Sequence, residues 1–350
     1  MKRFIEQYEG EIFDLLIIGG GITGAAVAYD AASRGLSVAL VEKQDFGCAT
    51  SAATSKLIHG GLRYLSNLEF ALVRESLRER RIMENIAPNL VYPLPVLLTS
   101  YNRVPPNDLR TLKKGMIVYD LLSFDKGWTW DKSKKLPRHQ TIPPEKVIDL
   151  EPAMKKEGLQ GGHIFYDCSS IFPERLTLAF VKSAVQYGAK VSNYTKAEGF
   201  LQKDEKTVCG IRVKDLLSGK RYALEGKLCV NCGGPWADII LKMVSGGVGD
   251  TKMVRSEGIH VITKRLTKNH LVTLPASGGK RYLFKPWRRH TLIGITDRQY
   301  AGDPDDYKVT KGSILELLED VNEFIRDDDR LQYEDILYAY GGLRPLVENT

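Results

Sequence analysis

The sequence lacks any long apolar run. No uninterrupted apolar stretch in its 350 residues reaches the roughly eighteen residues that a membrane-spanning helix needs. The N-terminus also lacks the basic, apolar and small-residue sections of a signal peptide. These absences argue against a spanning protein and against a secreted one. We therefore expect a cytoplasmic protein.

Cysteine is scarce as well. The chain has five cysteines in an odd and scattered set, which argues against a disulfide framework. Cys229 and Cys232 have the spacing of half a zinc or redox pair. They lie, however, in a strand pattern, where residues three apart face opposite sides of the sheet. No second pair accompanies them, so no metal site is predicted.

Neither sign of charge dominates, and repeats and low-complexity tracts are missing. Fifty Lys and Arg residues against 43 Asp and Glu residues give a net charge of +7, an excess that suits anionic ligands or an anionic membrane surface. No basic stripe with interleaved aromatic residues is present, so nucleic acid is not an expected partner. With 43% hydrophobic and 27% charged residues, the chain is an ordinary globular protein whose length suits two domains.

The most informative segment that is present runs from Phe13 to Glu42. The apolar run FDLLII is too short for a helix and predicts a buried parallel strand. The glycines of the following GGGITG allow a tight turn, close approach of backbone to a pyrophosphate, and a helix whose N-terminal N–H groups face the phosphates. A second strand ends at Glu42. A carboxylate at this position accepts hydrogen bonds from both hydroxyls of an adenosine ribose. The segment predicts a dinucleotide site and leaves FAD and NAD open. The predicted contacts in the turn are Gly19, Gly20, Gly21, Ile22, Thr23 and Gly24.

Hydrophobic periodicity and turn residues place further elements along the chain. Helices are predicted at 67–87, 109–122, 144–151, 173–188 and 313–325, the last opened by a capping box of Ser313 and Glu316. A strand at 90–100 contains prolines and is expected at an edge or entrance of a different sheet. Other strands are predicted at 161–169, 189–200, 208–213, 222–225, 228–232, 258–262, 282–287, 291–296 and 336–340.

Several motifs together resemble one flavoprotein family. GGGITG, CATSAATSKLIHGGLRYL, the strand-glycine-Pro-Trp run that ends at Trp236, and GGLRP are similar to the FAD-dependent glycerol-3-phosphate dehydrogenases of the D-amino-acid-oxidase-like superfamily. The resemblance extends from about Phe13 to the C-terminus, and SKLIHGGLRYL is close to diagnostic. Cys232 departs from the motif, because a different small residue is more usual at this position. Replacing one small residue by another leaves the assignment standing. The resemblance implies FAD as the cofactor.

The resemblance also implies an architecture. It is an α/β fold with a Rossmann-like FAD-binding domain, built on a doubly wound parallel sheet, and a discontinuous substrate domain with an antiparallel sheet. We assign residues 1–90, 173–245 and 331–350 to the FAD-binding domain. Residues 91–172 and 246–330 form the substrate domain, and the active site is expected between the two.

The implied reaction is oxidation of sn-glycerol 3-phosphate to dihydroxyacetone phosphate. A base removes the proton of the carbon-2 hydroxyl while hydride passes to the flavin, which a membrane quinone then reoxidises. The resemblance suggests Arg63 and Arg344 as the phosphate clamp, with Tyr64 donating a hydrogen bond, and His260 as the base. It further implies FAD contacts at Thr50, Ser51, Ser55, Lys56, Leu57, Ala197 and Gly233. The same resemblance implies a homodimer and a peripheral contact with the inner face of the plasma membrane.

Three alternatives stay open at this point. A glycerol-phosphate oxidase shares every motif and differs only in giving electrons to oxygen. An amino-acid oxidase needs an arginine for a carboxylate, and the SKLIHGGLRYL run speaks against it. The third is a non-catalytic FAD-binding fragment. The family continues past GGLRP into a glycine-rich strand, a helix beside the flavin and a further domain, whereas this sequence stops at Thr350. We therefore expect a C-terminally truncated chain that holds FAD substoichiometrically and shows little activity.

Overall fold

The structure is a computed structural model that describes residues 1–101, 107–244, 253–275 and 281–347. Its strands are β1 Ile12–Ile18, β2 Val38–Val41, β3 Leu57–Ile58, β4 Tyr92–Ser100, β5 Gln140–Ile142, β6 Gly161–Ser169, β7 Lys190–Ser192, β8 Thr195–Gln202, β9 Val208–Asp215, β10 Arg221–Asn231, β11 Met253–Thr263, β12 Leu271–Pro275, β13 Arg281–Trp287, β14 His290–Gly294, β15 Arg298–Tyr300 and β16 Ile336–Val347.

Seven α-helices accompany these strands in the described ranges. They are α1 Ile22–Ser33, α2 Phe70–Ile86, α3 Leu109–Leu122, α4 Pro144–Leu150, α5 Pro173–Gln186, α6 Ala237–Leu241 and α7 Lys311–Asn322. Within the described part of the chain, no helix combines the length and the apolar character that crossing a bilayer demands.

The smaller of two sheets contains the predicted dinucleotide-binding strands. Its order is β7-β2-β1-β10-β9-β8, with β1 parallel to both β2 and β10, whereas β10, β9 and β8 pair antiparallel. The alanines of α1 pack with α5 on one face of this sheet, where Leu15, Ile17 and Val181 belong to one buried cluster. Small side chains let the helix approach the strands closely. The predicted α/β fold with a parallel FAD-binding sheet is confirmed.

The larger sheet has the order β15-β11-β14-β13-β12-β4-β6-β3. β16 runs antiparallel to β11 along its whole length, from Met253 opposite Val347 to Thr263 opposite Ile336. β14 and β15 pair with separate parts of β11, and so share its other edge. The sequence interpretation assigned β16 to the FAD-binding domain, yet its hydrogen bonds lie in the larger sheet. The domain boundaries themselves stay a prediction.

The predicted edge position of β4 is wrong. The prolines at 93 and 95 suggested an edge strand, but β4 lies between β12 and β6. β12 pairs only with Val96, Leu97 and Leu98, so the prolines precede that contact. Their missing N–H groups therefore remove no hydrogen bond from the β4–β12 pairing.

The predicted capping box of α7 is also wrong. The helix begins at Lys311, and Thr310 is its N-cap, whose Oγ1 accepts the N–H of Ser313 at 3.1 Å. The Ser313 hydroxyl instead donates to Glu257 of β11 at 3.0 Å. A tertiary contact thus uses the side chain that local pattern assigned to capping.

Candidate active site

The turn between β1 and α1 needs glycine at two positions. Gly19 has φ +107°, and a Cβ there would overlap the carbonyl oxygen of Cys232. A Cβ on Gly24 would overlap the carbonyl oxygen of Gly19. Only glycine lets the helix start this close to the ends of β1 and β10. The start of α1 therefore has the form that accepts a pyrophosphate in dinucleotide-binding folds.

Two predicted contacts meet this turn. The Ser51 hydroxyl accepts the N–H of Ile22 at 2.9 Å, which is the acceptor role that a phosphate oxygen takes at a helix N-terminus. The Glu42 carboxylate accepts the N–H groups of Gly20 and Gln44, both at 2.7 Å. The acid is therefore fixed at the end of β2, beside the helix start. The residues present fit the dinucleotide portion of FAD.

Other predicted cofactor residues lie on neighbouring strands. The N–H of Thr195, at the start of β8, donates to the carbonyl oxygen of Glu42 at 2.7 Å, and Ala197 follows two residues later at a register irregularity. Gly233 follows β10, and its N–H donates to Asn231 Oδ1 at 3.0 Å. These contacts bring β8 and the turn after β10 to the same end of the sheet as Glu42.

A cavity of about 450 Å³ continues from this region toward the larger sheet. Among the predicted cofactor residues, Thr50 and Lys56 line it, whereas Ser51, Ser55 and Leu57 do not. Its walls come from strands of the larger sheet and from loops and helices outside both sheets, and they include several aromatic rings. The lining residues are Cys48, Ala49, Thr50, Ala52, Ala53, Lys56, Phe172, Glu174, Pro235, Trp236, Ile262, Trp287, Pro304, Tyr307, Tyr338, Tyr340, Gly341, Gly342 and Leu343.

Three side chains that sequence reasoning missed join loops of the two sheets beside the cavity. Lys43, just after β2, lies 3.9 Å from the centroid of the Trp236 ring and pairs with Asp305. The indole N–H of Trp236 donates to the same carboxylate at 3.0 Å. No local pattern marks these residues, because 262 positions separate Lys43 from Asp305.

His260 is fully buried on β11 beside the cavity. Its Nε2 lies 2.9 Å from the Ser55 hydroxyl, and its ring stacks on Tyr340 with centroids 4.9 Å apart. Burial, followed by the positive charges of Arg344 and two lysines, lowers the pKa of His260 to about 3. The imidazole is therefore neutral at neutral pH. Its catalytic role stays a prediction.

Lys285 is a second buried titratable group in this region, and the sequence interpretation missed it. Its ammonium group donates to the carbonyl oxygen of Lys56 and to the Ser169 hydroxyl, both at 2.6 Å. Burial, and then the charge of Lys56, lower the pKa of Lys285 to about 7. The available signal was a lysine between Phe284 and Pro286, within an apolar and aromatic run from Tyr282 to Trp287.

The two predicted arginines occupy different settings. Arg63 is exposed, with its guanidinium 4.8 Å from the centroid of the Tyr64 ring and a hydrogen bond to the Tyr64 hydroxyl at 3.1 Å. Arg344, on β16, donates to the Thr296 carbonyl at 2.8 Å and to the Ser256 hydroxyl at 3.0 Å. Burial lowers the pKa of Arg344, the charge of Asp297, which pairs with it at 3.3 Å, opposes that shift, and the charge of Arg63 lowers the pKa further. The positive charges of Arg344, Lys56 and Lys285 thus act on a neutral histidine.

Metal-ligating side chains do not cluster in the described ranges. No group of three or more His, Cys, Asp or Glu side chains there is placed to hold a metal ion. Cys229 and Cys232 are free thiols.

Comparisons with known proteins agree with this geometry. Residues 14–350 match the sequence family described as FAD dependent oxidoreductase. A glycerol-3-phosphate dehydrogenase of Synechocystis is 35% identical over 99% of this chain and 63% of its own length. An alpha-glycerophosphate oxidase of Streptococcus pneumoniae is 33% identical over 98% of this chain and 56% of its own length. The chain thus spans less than two thirds of these curated relatives.

A solved structure extends the comparison to the fold. The glycerol-3-phosphate dehydrogenase of Bacillus halodurans, complexed with FAD, superposes with a TM-score of 0.77 at 28% identity and covers 98% of this chain and 59% of that one. The prediction of FAD as the cofactor is confirmed.

Proposed function

Because the chain belongs to the FAD dependent oxidoreductase family, we propose that it oxidises sn-glycerol 3-phosphate to dihydroxyacetone phosphate and passes the electrons to a quinone. The observation that carries the proposal is the charge arrangement beside the cavity. The side chains of Arg344, Lys56 and Lys285 act electrostatically on the buried His260, and Arg63 acts on Arg344. Such a cluster suits a dianionic substrate. The names of the relatives from Synechocystis and Streptococcus support the same substrate class.

FAD would be held by the glycine turn, Glu42 and the hydroxyl-rich segment that contains Thr50 and Ser51. When bound, it supplies the hydride acceptor. The aromatic and apolar side chains that line the cavity exclude water from the reacting carbon, which strengthens every charge interaction inside. The division into an FAD-binding and a substrate domain is part of this proposal, as are a homodimer and a peripheral membrane contact.

We assign the remaining roles to this chain's own side chains. The guanidinium groups of Arg63 and Arg344 bind the phosphate, since a planar fork keeps its charge and offers paired donors. The Tyr64 hydroxyl adds a hydrogen bond to the same group. His260, which is neutral at neutral pH, accepts the proton of the carbon-2 hydroxyl. Its Nδ1 is buried without a hydrogen-bond partner among the described residues, so no protein group there occupies that ring nitrogen.

The experiment is a single-turnover titration, which does not depend on the electron acceptor. The purified chain is saturated with FAD, and glycerol 3-phosphate is added without oxygen while the flavin absorbance is followed. We expect bleaching with glycerol 3-phosphate and none with glycerol, which lacks the phosphate. A flavin-loaded chain that bleaches with an amino acid but not with glycerol 3-phosphate would overturn the substrate assignment.

The alpha-glycerophosphate oxidase relative favours a second candidate, an oxidase. Oxygen uptake after the titration distinguishes the two. Rapid reoxidation by air, without a quinone, assigns the oxidase reaction. Slow reoxidation by air with rapid reoxidation by a soluble quinone assigns the dehydrogenase reaction.

A further inference from the structure

One short segment lies against the larger sheet just before β3 begins. It consists of Thr54, Ser55 and Lys56, and we call it the crossing segment. Three strands of the sheet each send one side chain to a different residue of it. These contacts are a hydrogen bond from the Tyr340 hydroxyl of β16 to the Thr54 carbonyl at 2.8 Å, a contact of 2.9 Å between His260 Nε2 of β11 and the Ser55 hydroxyl, and a hydrogen bond from the Lys285 amino group of β13 to the Lys56 carbonyl at 2.6 Å. The segment is therefore fastened to the sheet at every residue.

Lys56 has an unfavourable backbone conformation within the crossing segment. Its φ of +56° lies in the left-handed region, which costs free energy for a residue with a Cβ and persists only where neighbouring groups fix it. Besides the bond from Lys285, its carbonyl accepts the Ser169 hydroxyl and the Ser170 N–H, each at 3.1 Å. Lys285 also donates to the Ser169 hydroxyl at 2.6 Å. It therefore fixes the carbonyl both directly and through a neighbour.

The conformation of Lys56 directs its side chain into the cavity. Its Nζ lies 5.1 Å from the centroid of the Tyr340 ring and 5.9 Å from that of the Trp287 ring, and all three residues line the cavity. Burial lowers the pKa of Lys56, and the charge of Glu174, another lining residue, opposes that shift. Because φ sets the direction of the Cβ, a different backbone conformation would point this side chain elsewhere.

Lys285 is an unfavourable residue to bury. It is 2% exposed, and both of its hydrogen-bond partners, a carbonyl and a hydroxyl, are uncharged. The charge that shifts its pKa is the like charge of Lys56. A buried cation without an anion destabilises a fold relative to a well-packed apolar side chain. Packing alone therefore does not account for a lysine here, whereas a long donor that reaches the Lys56 carbonyl does.

We propose that Lys285 is a positioning residue, which fixes the backbone of Lys56 so that the Lys56 side chain faces an anionic group bound in the cavity. The rest of the crossing segment supports the assignment, since Ser55 contacts His260 and would move with its neighbour. One fastening thus sets the position of a cavity lysine and of the hydroxyl beside the buried histidine. The inference rests on the proposed function only in identifying the anionic group as the phosphate of the substrate; the fastening itself needs no ligand.

The first test is hydrogen–deuterium exchange of the ligand-free chain, followed peptide by peptide with mass spectrometry. Two backbone N–H groups report on the fastening, that of Lys56, which donates to the Thr54 hydroxyl at 3.0 Å, and that of Ser170. In Lys285→Met, the peptides that contain them should exchange about tenfold faster or more, because a strong hydrogen bond is lost. Ser169→Ala, a smaller change, should accelerate exchange of the same peptides by less.

Two controls separate this role from a general contribution to stability. Lys264→Met replaces an exposed lysine just after β11 and should exchange like the parent. Urea unfolding of Lys285→Met should have a midpoint at or above that of the parent, because an unbalanced buried cation is removed. Unchanged exchange in Lys285→Met would overturn the proposal. So would a lower midpoint with faster exchange throughout the larger sheet, since Lys285 would then only support the core.

The second test is a double-mutant cycle on the binding of dihydroxyacetone phosphate, the proposed product, which does not reduce the flavin. Titration calorimetry on the FAD-loaded chain gives the dissociation constants. Lys56→Met should weaken binding roughly ten- to a hundredfold, and Lys285→Met by a smaller factor. The double variant should bind no more weakly than Lys56→Met alone. If the two losses multiply instead, Lys285 acts independently of Lys56 and the proposal fails. A parent that does not bind the product refutes the proposed substrate, and the exchange measurement then decides the role of Lys285 by itself.

Discussion

Asp167 is a buried carboxylate whose removal should strongly destabilise this fold. It is 5% exposed, on β6, and its Oδ1 accepts hydrogen bonds from the Tyr119 hydroxyl at 2.8 Å and the Gly60 N–H at 3.1 Å. The same oxygen pairs with Arg80, which is 2% exposed. One carboxylate thus joins α2, α3 and β6 to the loop that carries Arg63.

The magnitude follows from what Asp167→Ala leaves behind. Arg80 would stay buried without its anion, and breaking a buried pair from one side costs about 3–5 kcal/mol. Tyr119→Phe removes one charge-assisted hydrogen bond and should cost roughly 1.5–3 kcal/mol. The control is Asp30→Ala, because Asp30 pairs with Arg34 on the surface, where the side chains are 64% and 70% exposed. An exposed pair contributes little to stability, because solvent screens it.

The assay is urea unfolding of each variant at neutral pH, from which the free energy of unfolding is obtained. The double variant Arg80→Met with Asp167→Leu supplies a further check. It removes both charges together and should lose less stability than Asp167→Ala alone. An Asp167→Ala chain that is as stable as Asp30→Ala would show that Arg80 finds another partner, and the reasoning would fail.

Three further predictions concern the turn, the candidate clamp and acid stability. Gly24→Ala should abolish FAD retention, measured as the flavin-to-protein ratio, because the added Cβ overlaps a backbone carbonyl, whereas Gly115→Ala, with open space around it, should retain it. Arg344→Lys should lower kcat/KM about ten- to a hundredfold, since a point charge replaces a planar fork; an unchanged ratio would remove Arg344 from the phosphate clamp. Burial raises the pKa of Glu151, but hydrogen bonds from His270 and backbone N–H groups outweigh it, so the net pKa is lowered. Its stabilisation is therefore present above the ordinary glutamate pKa and lost as pH falls through the lower folded value. Unfolding midpoints measured against pH should fall less steeply on acidification in Glu151→Gln than in the parent.

The parts of the site that could be predicted are those set by local backbone physics. The turn at Gly19 and Gly24 was predictable because strand, glycines, helix and terminal acid follow one another within thirty residues. The position of Lys285 was not, because its partners, Lys56 and Ser169, lie 229 and 116 residues away. Long-range hydrogen bonds leave no periodic trace in a sequence.

Gly341 and Gly342 also show that local sequence predicts some features and long-range contacts decide others. The sequence suggested a strand that ends at residue 340, yet β16 continues through Gly341 and Gly342 to residue 347. A Cβ on Gly341 would overlap the Tyr307 hydroxyl, and one on Gly342 would lie 2.8 Å from the Ala53 side chain. The glycines therefore serve close approach of neighbouring chain segments within a strand. Only the three-dimensional arrangement distinguishes that use from a turn.

The cavity has a consequence for how the protein acquires its native state. Its walls are drawn from positions as far apart as Cys48 and Leu343, so it exists only after nearly the whole chain has come together. Contacts of such high sequence separation form late and slowly, because the entropy of closing large loops opposes them. A ligand that binds only the completed cavity shifts the folding equilibrium by mass action. The supply of flavin during synthesis should therefore set the yield of protease-resistant protein.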